Sequence, residues 1–245
     1  MDNLVDGRPG PGCFWYPARE LFGLPNIEWC EAHRCSLIEQ PASAHSNLVI
    51  IAVGILIMLS SRKDRERVRM RFFGWTILIT GILSYIYHAS NNWLTQIFDF
   101  AGMYLYSGFL LTLNLRRLGK ITPAREIPIY VDILILNLIV FFTFHYALHI
   151  KIQYTFILNL VILIATEIVI RARNKNYRLK WFYWSLATII FAESWSLADA
   201  ARFFCQPDNL FFHGHAIWHC FSGLASLFTY YYYRQFDFSG KTVTT

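Results

Sequence analysis

Seven apolar stretches, each long enough to cross a bilayer, are separated by short charged or turn-rich loops in this 245-residue chain. They lie at approximately 43–61, 72–91, 94–115, 127–148, 153–171, 181–201 and 211–233. A helix rising about 1.5 Å per residue needs about 20 mostly apolar residues to span the hydrocarbon layer. Within that layer each backbone N–H and C=O must find its partner inside the segment, so such stretches fold as helices. Composition agrees, with 16% charged residues against about 25% in a typical soluble chain. The expected fold is all-α: a polytopic membrane protein with seven transmembrane helices. Residues 1–42 form an outer N-terminal segment, 43–233 the seven-helix domain and 234–245 a cytoplasmic tail. The N-terminus has no basic start, continuous apolar run or small-residue cleavage site, so the first apolar helix is expected to act as its own insertion signal.

The net charge of +6 is confined to particular loops. Arg62, Lys63, Arg65, Arg67, Arg69 and Arg71 follow the first stretch; Arg116, Arg117, Lys120 and Arg125 follow the third. Arg171, Arg173, Lys175, Arg178 and Lys180 follow the fifth. The alternate loops are nearly bare, with Lys151 and Arg202 their only basic residues. This asymmetry places the three basic loops and the C-terminus in the cytoplasm and the N-terminus outside, in a periplasm or organelle lumen. Basic residues so used are topology signals, and no nucleic-acid partner is expected. Cys13, Cys30, Cys35 and Cys205 all fall in outer segments, where an oxidising compartment permits disulfides. Four cysteines allow three connectivities. Cys220, inside the seventh stretch, reads as a small buried apolar residue.

Ionisable groups at membrane depth are costly and are candidates for function. Ser84 and His88 end the second stretch at i, i+4 on one helical face. Asp99 lies about one turn into the third, and His215 and His219 open the seventh, again at i, i+4. All five fall at similar depth toward the outer surface. One membrane histidine more often caps a helix end than binds a metal. Three at matched depth with an aspartate favour a metal centre, since catalytic zinc usually keeps three protein ligands and one water. His213, two residues from His215, faces away and reads as interfacial; His45, His145 and His149 have no partner at suitable spacing, and His33 sits in the outer segment. Asp132 and Glu167 lie near cytoplasmic helix ends, where their charge can reach water, and Glu193 is deeper, as a packing or a substrate-contact group.

These residues carry a resemblance. Ser84-x3-His88, Asp99 eleven residues later, and His215-Ala-Ile-Trp-His219 resemble the alkaline ceramidase family, within a superfamily of seven-helix membrane hydrolases that includes the progestin and adiponectin receptors. The stretch from Asp199 through Cys205 to Pro207 resembles prokaryotic ceramidase-domain proteins, and Trp29-Cys30-Glu31 and Ser46-Asn47 match the family's beginning. The resemblance runs from about residue 28 to 232. It implies zinc on His88, His215 and His219, with Ser84 and Asp99 completing the site. It implies hydrolysis of ceramide or a related N-acyl lipid to a free fatty acid and a long-chain base, the lipid amide entering from the bilayer. In that reaction Asp99 would accept the proton of the attacking water and pass it to the leaving amine. Ser84 would donate to the developing oxyanion. The family also pairs an outer N-terminal cysteine with one before the last span, here Cys30 with Cys205.

Eukaryotic members bind calcium through an acidic N-terminal segment, for which Glu28, Trp29 and Glu31 would supply part. In this chain Gln40 takes a usual glutamate place and Ser43 a usual asparagine place, with Glu39 beside them. Charge count sets calcium affinity, so a calcium ion here is expected to be weak. A receptor-like member of the superfamily without significant turnover is the competing reading, and it calls for a sizeable soluble signalling region. A transporter would instead distribute its polar groups through the membrane depth. No obligatory protein partner is evident.

Overall fold

The computed structural model describes residues 4–5 and 8–238. A two-residue hairpin, β1 (Leu4–Val5) with β2 (Arg8–Pro9), and a short helix α1 (Tyr16–Phe22) precede seven long helices. These are α2 (Pro41–Ser60), α3 (Arg67–Ser90), α4 (Trp93–Arg117), α5 (Glu126–Phe142), α6 (Gln153–Arg173), α7 (Lys180–Ala200) and α8 (Gly214–Tyr233). Each apolar stretch of the sequence is therefore one helix. Pro41 starts α2 at a position where a missing N–H costs nothing. Asn91, left-handed at φ 43°, stops α3 one residue past its end. The side chain of Asn92 then accepts from the N–H of Thr95 to start α4.

Four segments are long and apolar enough to cross a membrane by length and composition: Pro41–Lys63, Arg67–Ser90, Pro123–Ala147 and Gln153–Arg173. That marks a membrane protein. The other three long helices carry Asp99 (α4), Glu193 and Asp199 (α7), and His215 and His219 (α8), polar residues that dilute their hydropathy. Polarity is turned inside out relative to a soluble domain. Asn47, His88, Gln96 and His219 are fully buried, while Ile135, Leu136, Ile139 and Val161 on α5 and α6 are exposed. Phe141 is the one buried residue of α5, as expected of a helix facing lipid.

Helix α2 packs chiefly on α3 and α8, α7 packs on α8, and α4 lies against α3, α5 and α6. The α2–α3 contact is close because glycines face backbone. A Cβ on Gly54 would lie 2.7 Å from the amide nitrogen of Leu78, and one on Gly74 would lie 2.9 Å from that of Met58. Small residues let helices approach where the hydrophobic effect does not drive them together. Although consecutive in the chain, α6 and α7 scarcely touch. They flank an apolar cavity of about 140 Å³ instead, with α4 and α8 behind it.

Below that cavity, Glu167 does not reach water as its position near a helix end implied. It is 3% exposed and accepts a two-pronged pair from Arg117, at 2.5 and 3.0 Å. The hydroxyls of Tyr177 and Tyr232 also donate to it, and the Arg117 guanidinium lies 3.7 Å from the ring centroid of Phe236. An aromatic cluster around the chain end thus solvates a charge that lipid could not. Removing one partner of such a pair strands the other charge, which costs about 3–5 kcal/mol, whereas an apolar pair of similar volume is close to neutral. Glu167→Ala should therefore lower the unfolding midpoint in detergent strongly, and the double substitution Arg117→Met with Glu167→Leu should recover most of the loss.

Candidate active site

The C-terminal end of α3 and the N-terminal end of α8 meet at the end of the bundle opposite the Arg117–Glu167 pair. His88, in the last turn of α3, points its Nε2 at the Nε2 of His215, 3.1 Å away. His219, one turn on from His215, shares the inward face of α8. The three rings offer one nitrogen each within 4.8 Å of one another, and all three side chains are buried.

Their outward nitrogens are held from behind. The Nδ1–H of His88 donates to Gln40 Oε1 at 2.8 Å, which leaves the lone pair on Nε2. The Ser46 hydroxyl donates to the carbonyl of Ser43 and so accepts from Nδ1 of His219 at 2.8 Å. That again frees Nε2 for the centre. Such hydrogen bonds select the tautomer a metal needs. His215 is held by aromatic faces, stacked on Trp29 at 3.5 Å and 13° and parallel to Trp218 at 5.1 Å and 9°.

Both remaining candidates lie next to the histidines. Ser84 Oγ is 3.4 Å from His219 Nε2, and the Asp99 carboxylate lies close to the Ser84 hydroxyl. Asp99 is 7% exposed and lines, with His215, a small cavity of about 30 Å³.

Several contributors escaped sequence reasoning. Gln40 registered there only as a departure from a family pattern, but it is fully buried and orients His88. Asp199 accepts from the N–H of Cys30 at 2.7 Å and of His215 at 3.1 Å, tying the N-terminal segment to the first turn of α8. Its signal was present, since a carboxylate in an apolar stretch was reason to single out Glu193 as well. Gly214 permits this contact: a Cβ there would lie 2.5 Å from the carbonyl oxygen of Trp195. The cysteines pair as Cys30–Cys205 and Cys13–Cys35. Cys220 is partly exposed. His213 is buried, its Nε2 lying 2.5 Å from the carbonyl oxygen of Asn209. With Cys30 and Asp199 it forms the second grouping of metal-capable side chains among the described residues, though Cys30 is committed to its disulfide. His145 lies 3.0 Å from Asn26 and packs on Trp93.

The three calcium candidates have other partners. Glu28 pairs with Arg8 and Arg202, and Trp29 covers His215. Glu31 accepts from the N–H groups of Ala42 and Ser43 at 2.7 and 2.9 Å, capping α2. Glu39 is paired with Arg19. The segment thus neutralises much of its own negative charge, and neither grouping of metal-capable side chains among the described residues includes Glu28 or Glu31.

A family model described as Ceramidase matches residues 25–243. The chain belongs to the ceramidase family. No curated protein matches it at a significant level of similarity. Membership makes the protein an amide hydrolase with a lipid substrate, of a family that is generally metal-dependent. In this family member the matched region takes in the three histidines, Ser84 and Asp99 together with the N-terminal segment from residue 25 onward.

Gln40 supplies a test that leaves the histidines in place. Gln40→Leu removes the acceptor of His88, and affinity for added zinc, measured by competition with a chelator, should fall about 10- to 100-fold. Gln40→Glu, which restores an acceptor, should bind at least as tightly as the unmodified protein.

Proposed function

We propose that this ceramidase-family protein is a zinc-dependent intramembrane amidase that hydrolyses ceramide or a related N-acyl lipid to a free fatty acid and a long-chain base. In this reading α2 to α8 all cross the membrane, and the site faces the periplasm or lumen. The observation that carries it is the convergence of three imidazole Nε2 atoms beside Asp99 and Ser84, at the head of an apolar cavity.

The donor set fits zinc. On a tetrahedral ion with bonds of about 2.0–2.1 Å, ligand nitrogens lie about 3.3–3.4 Å apart, and His88 and His215 are at 3.1 Å. Three neutral imidazoles without a carboxylate suit zinc and not magnesium or calcium, which take oxygen. A zinc ion held there would polarise the acyl carbonyl and make water acidic enough to be a nucleophile near neutral pH.

The chain's own residues supply the rest. Asp99 takes the proton of the attacking water and returns it to the amide nitrogen, which leaves as the free amine. Ser84 lies close to the Asp99 carboxylate and, with substrate bound, turns its hydroxyl to the developing oxyanion. The larger cavity gives the hydrocarbon chain its seat. It descends from Met103 and Trp218 to Asn114 and Glu167, and the eleven steps along α4 from Met103 to Asn114 cover about 16 Å of that path at 1.5 Å each. The loose seam between α6 and α7 is where a lipid would enter sideways from the bilayer.

Metal analysis of the purified protein, paired with fatty-acid release from a panel of N-acyl lipids, tests this reading. Zinc should be present, and His88→Ala should lose both zinc and turnover. Equal turnover in the two proteins would sink the enzyme assignment. Ser84→Ala should keep nearly all its zinc while the rate falls about 10²- to 10³-fold, and loss of zinc in that variant would make Ser84 a support of the metal centre.

A further inference from the structure

Glu193 has no part in the reaction as described, yet it lies beside the centre. It lines the small cavity with Asp99 and His215, opposite Gln153 from the first turn of α6. Oε2 of Glu193 accepts from Trp218 Nε1 at 3.0 Å, and Trp218 is the residue stacked parallel to His215. Its other oxygen has no hydrogen-bond partner among the described residues, and no ion pair there involves it. Gln153 Oε1 is buried and also without a partner. By contrast Gln96, on the same cavity, has both ends of its amide engaged, donating to Tyr87 and accepting from Asn26. Gln153 Oε1 is thus left unmatched where water is scarce, which is costly until a donor arrives, and Glu193, with one oxygen unpaired, lines the same cavity.

We infer that this small cavity is a head-group subsite, in which Glu193 and Gln153 accept hydrogen bonds from hydroxyl or amine groups on the amine side of the scissile amide. The inference rests on the amidase reading above and adds the residues that select the substrate. Met103, Phe156 and Trp218 line both this cavity and the larger apolar one. A lipid with its chain in the larger space therefore brings its polar end to Glu193 and Gln153. At about 30 Å³, the subsite holds about two water-sized groups. That admits a small amino alcohol and leaves no room for a sugar. A phosphate is refused by charge as well, since Glu193 would face it across a site of low dielectric.

Two arms test this on the purified, zinc-loaded protein in detergent. The first compares kcat/KM for an N-acyl 2-amino-1,3-diol lipid with that for an N-acyl alkylamine of the same chain lengths. The unmodified protein should prefer the diol amide at least about tenfold, and Glu193→Ala and Gln153→Ala should each cut the preference about tenfold. The second measures thermal stabilisation by the free long-chain amino diol and by the matched alkylamine, which needs no turnover. Greater stabilisation by the amino diol that is lost in Glu193→Ala supports the subsite. Unchanged preference and equal stabilisation in the variants overturn it. Zinc content is read alongside, and Glu193→Gln, which keeps an acceptor for Trp218, carries the comparison if the alanine variant loses metal. Absence of turnover for every amide would overturn the amidase reading alone, because the binding arm still decides the subsite.

Discussion

Two imidazole nitrogens face each other at 3.1 Å where α3 ends and α8 begins, and much of the molecule serves to keep them there. His88 presents a lone pair, because its proton is committed to Gln40. His219 presents another, because Ser46 takes the proton on its far side. Two lone pairs thus converge in a buried place, which is the arrangement the proposed metal ion would need. The supports come from distant parts of the chain. Gln40 is laid over the end of α3 by backbone hydrogen bonds from Glu39 and Gln40 to Ala89 and His88. Trp29 is fixed beside His215 by the Cys30–Cys205 disulfide and by Asp199, which holds both strands of that contact.

The opposite end of the bundle solves a different problem with the same means. Arg117 and Glu167 are both nearly excluded from water, where either charge alone would be prohibitive. Tyrosine hydroxyls and the ring of Phe236 complete their solvation. Between the two polar ends lies the apolar cavity, bordered by the loosely joined α6 and α7. The histidine cluster at one end and the Arg117–Glu167 pair at the other thus bracket this apolar space.

The catalytic candidates were legible because their spacing is local. His215 and His219 at i, i+4, and Ser84 with His88 at the same interval, share helical faces whatever the tertiary arrangement. Their common depth followed from counting residues along apolar stretches. Gln40, Ser46 and Asp199 were not legible as supports, because each acts on a histidine from another helix or from the N-terminal segment, 48, 173 and 16 positions away along the chain. Glu167 was misread for the same reason. Its place near a helix end pointed to water, and only the packing of α4, α6 and the C-terminal aromatic residues turned it inward to Arg117.

By itself, the sequence determined the seven helices, their approximate ends and the histidine faces, because hydrophobic runs and 3.6-residue periodicity are properties of one segment at a time. It also pointed to the three histidines, Ser84 and Asp99 as the residues that meet. Only the tertiary structure decided which nitrogen of each imidazole faces inward, which carboxylates of the N-terminal segment are spent on arginines and helix caps, and where one oxygen of Glu193 and that of Gln153 are left unmatched. Those are outcomes of distances between groups far apart in the chain, and no local pattern encodes them.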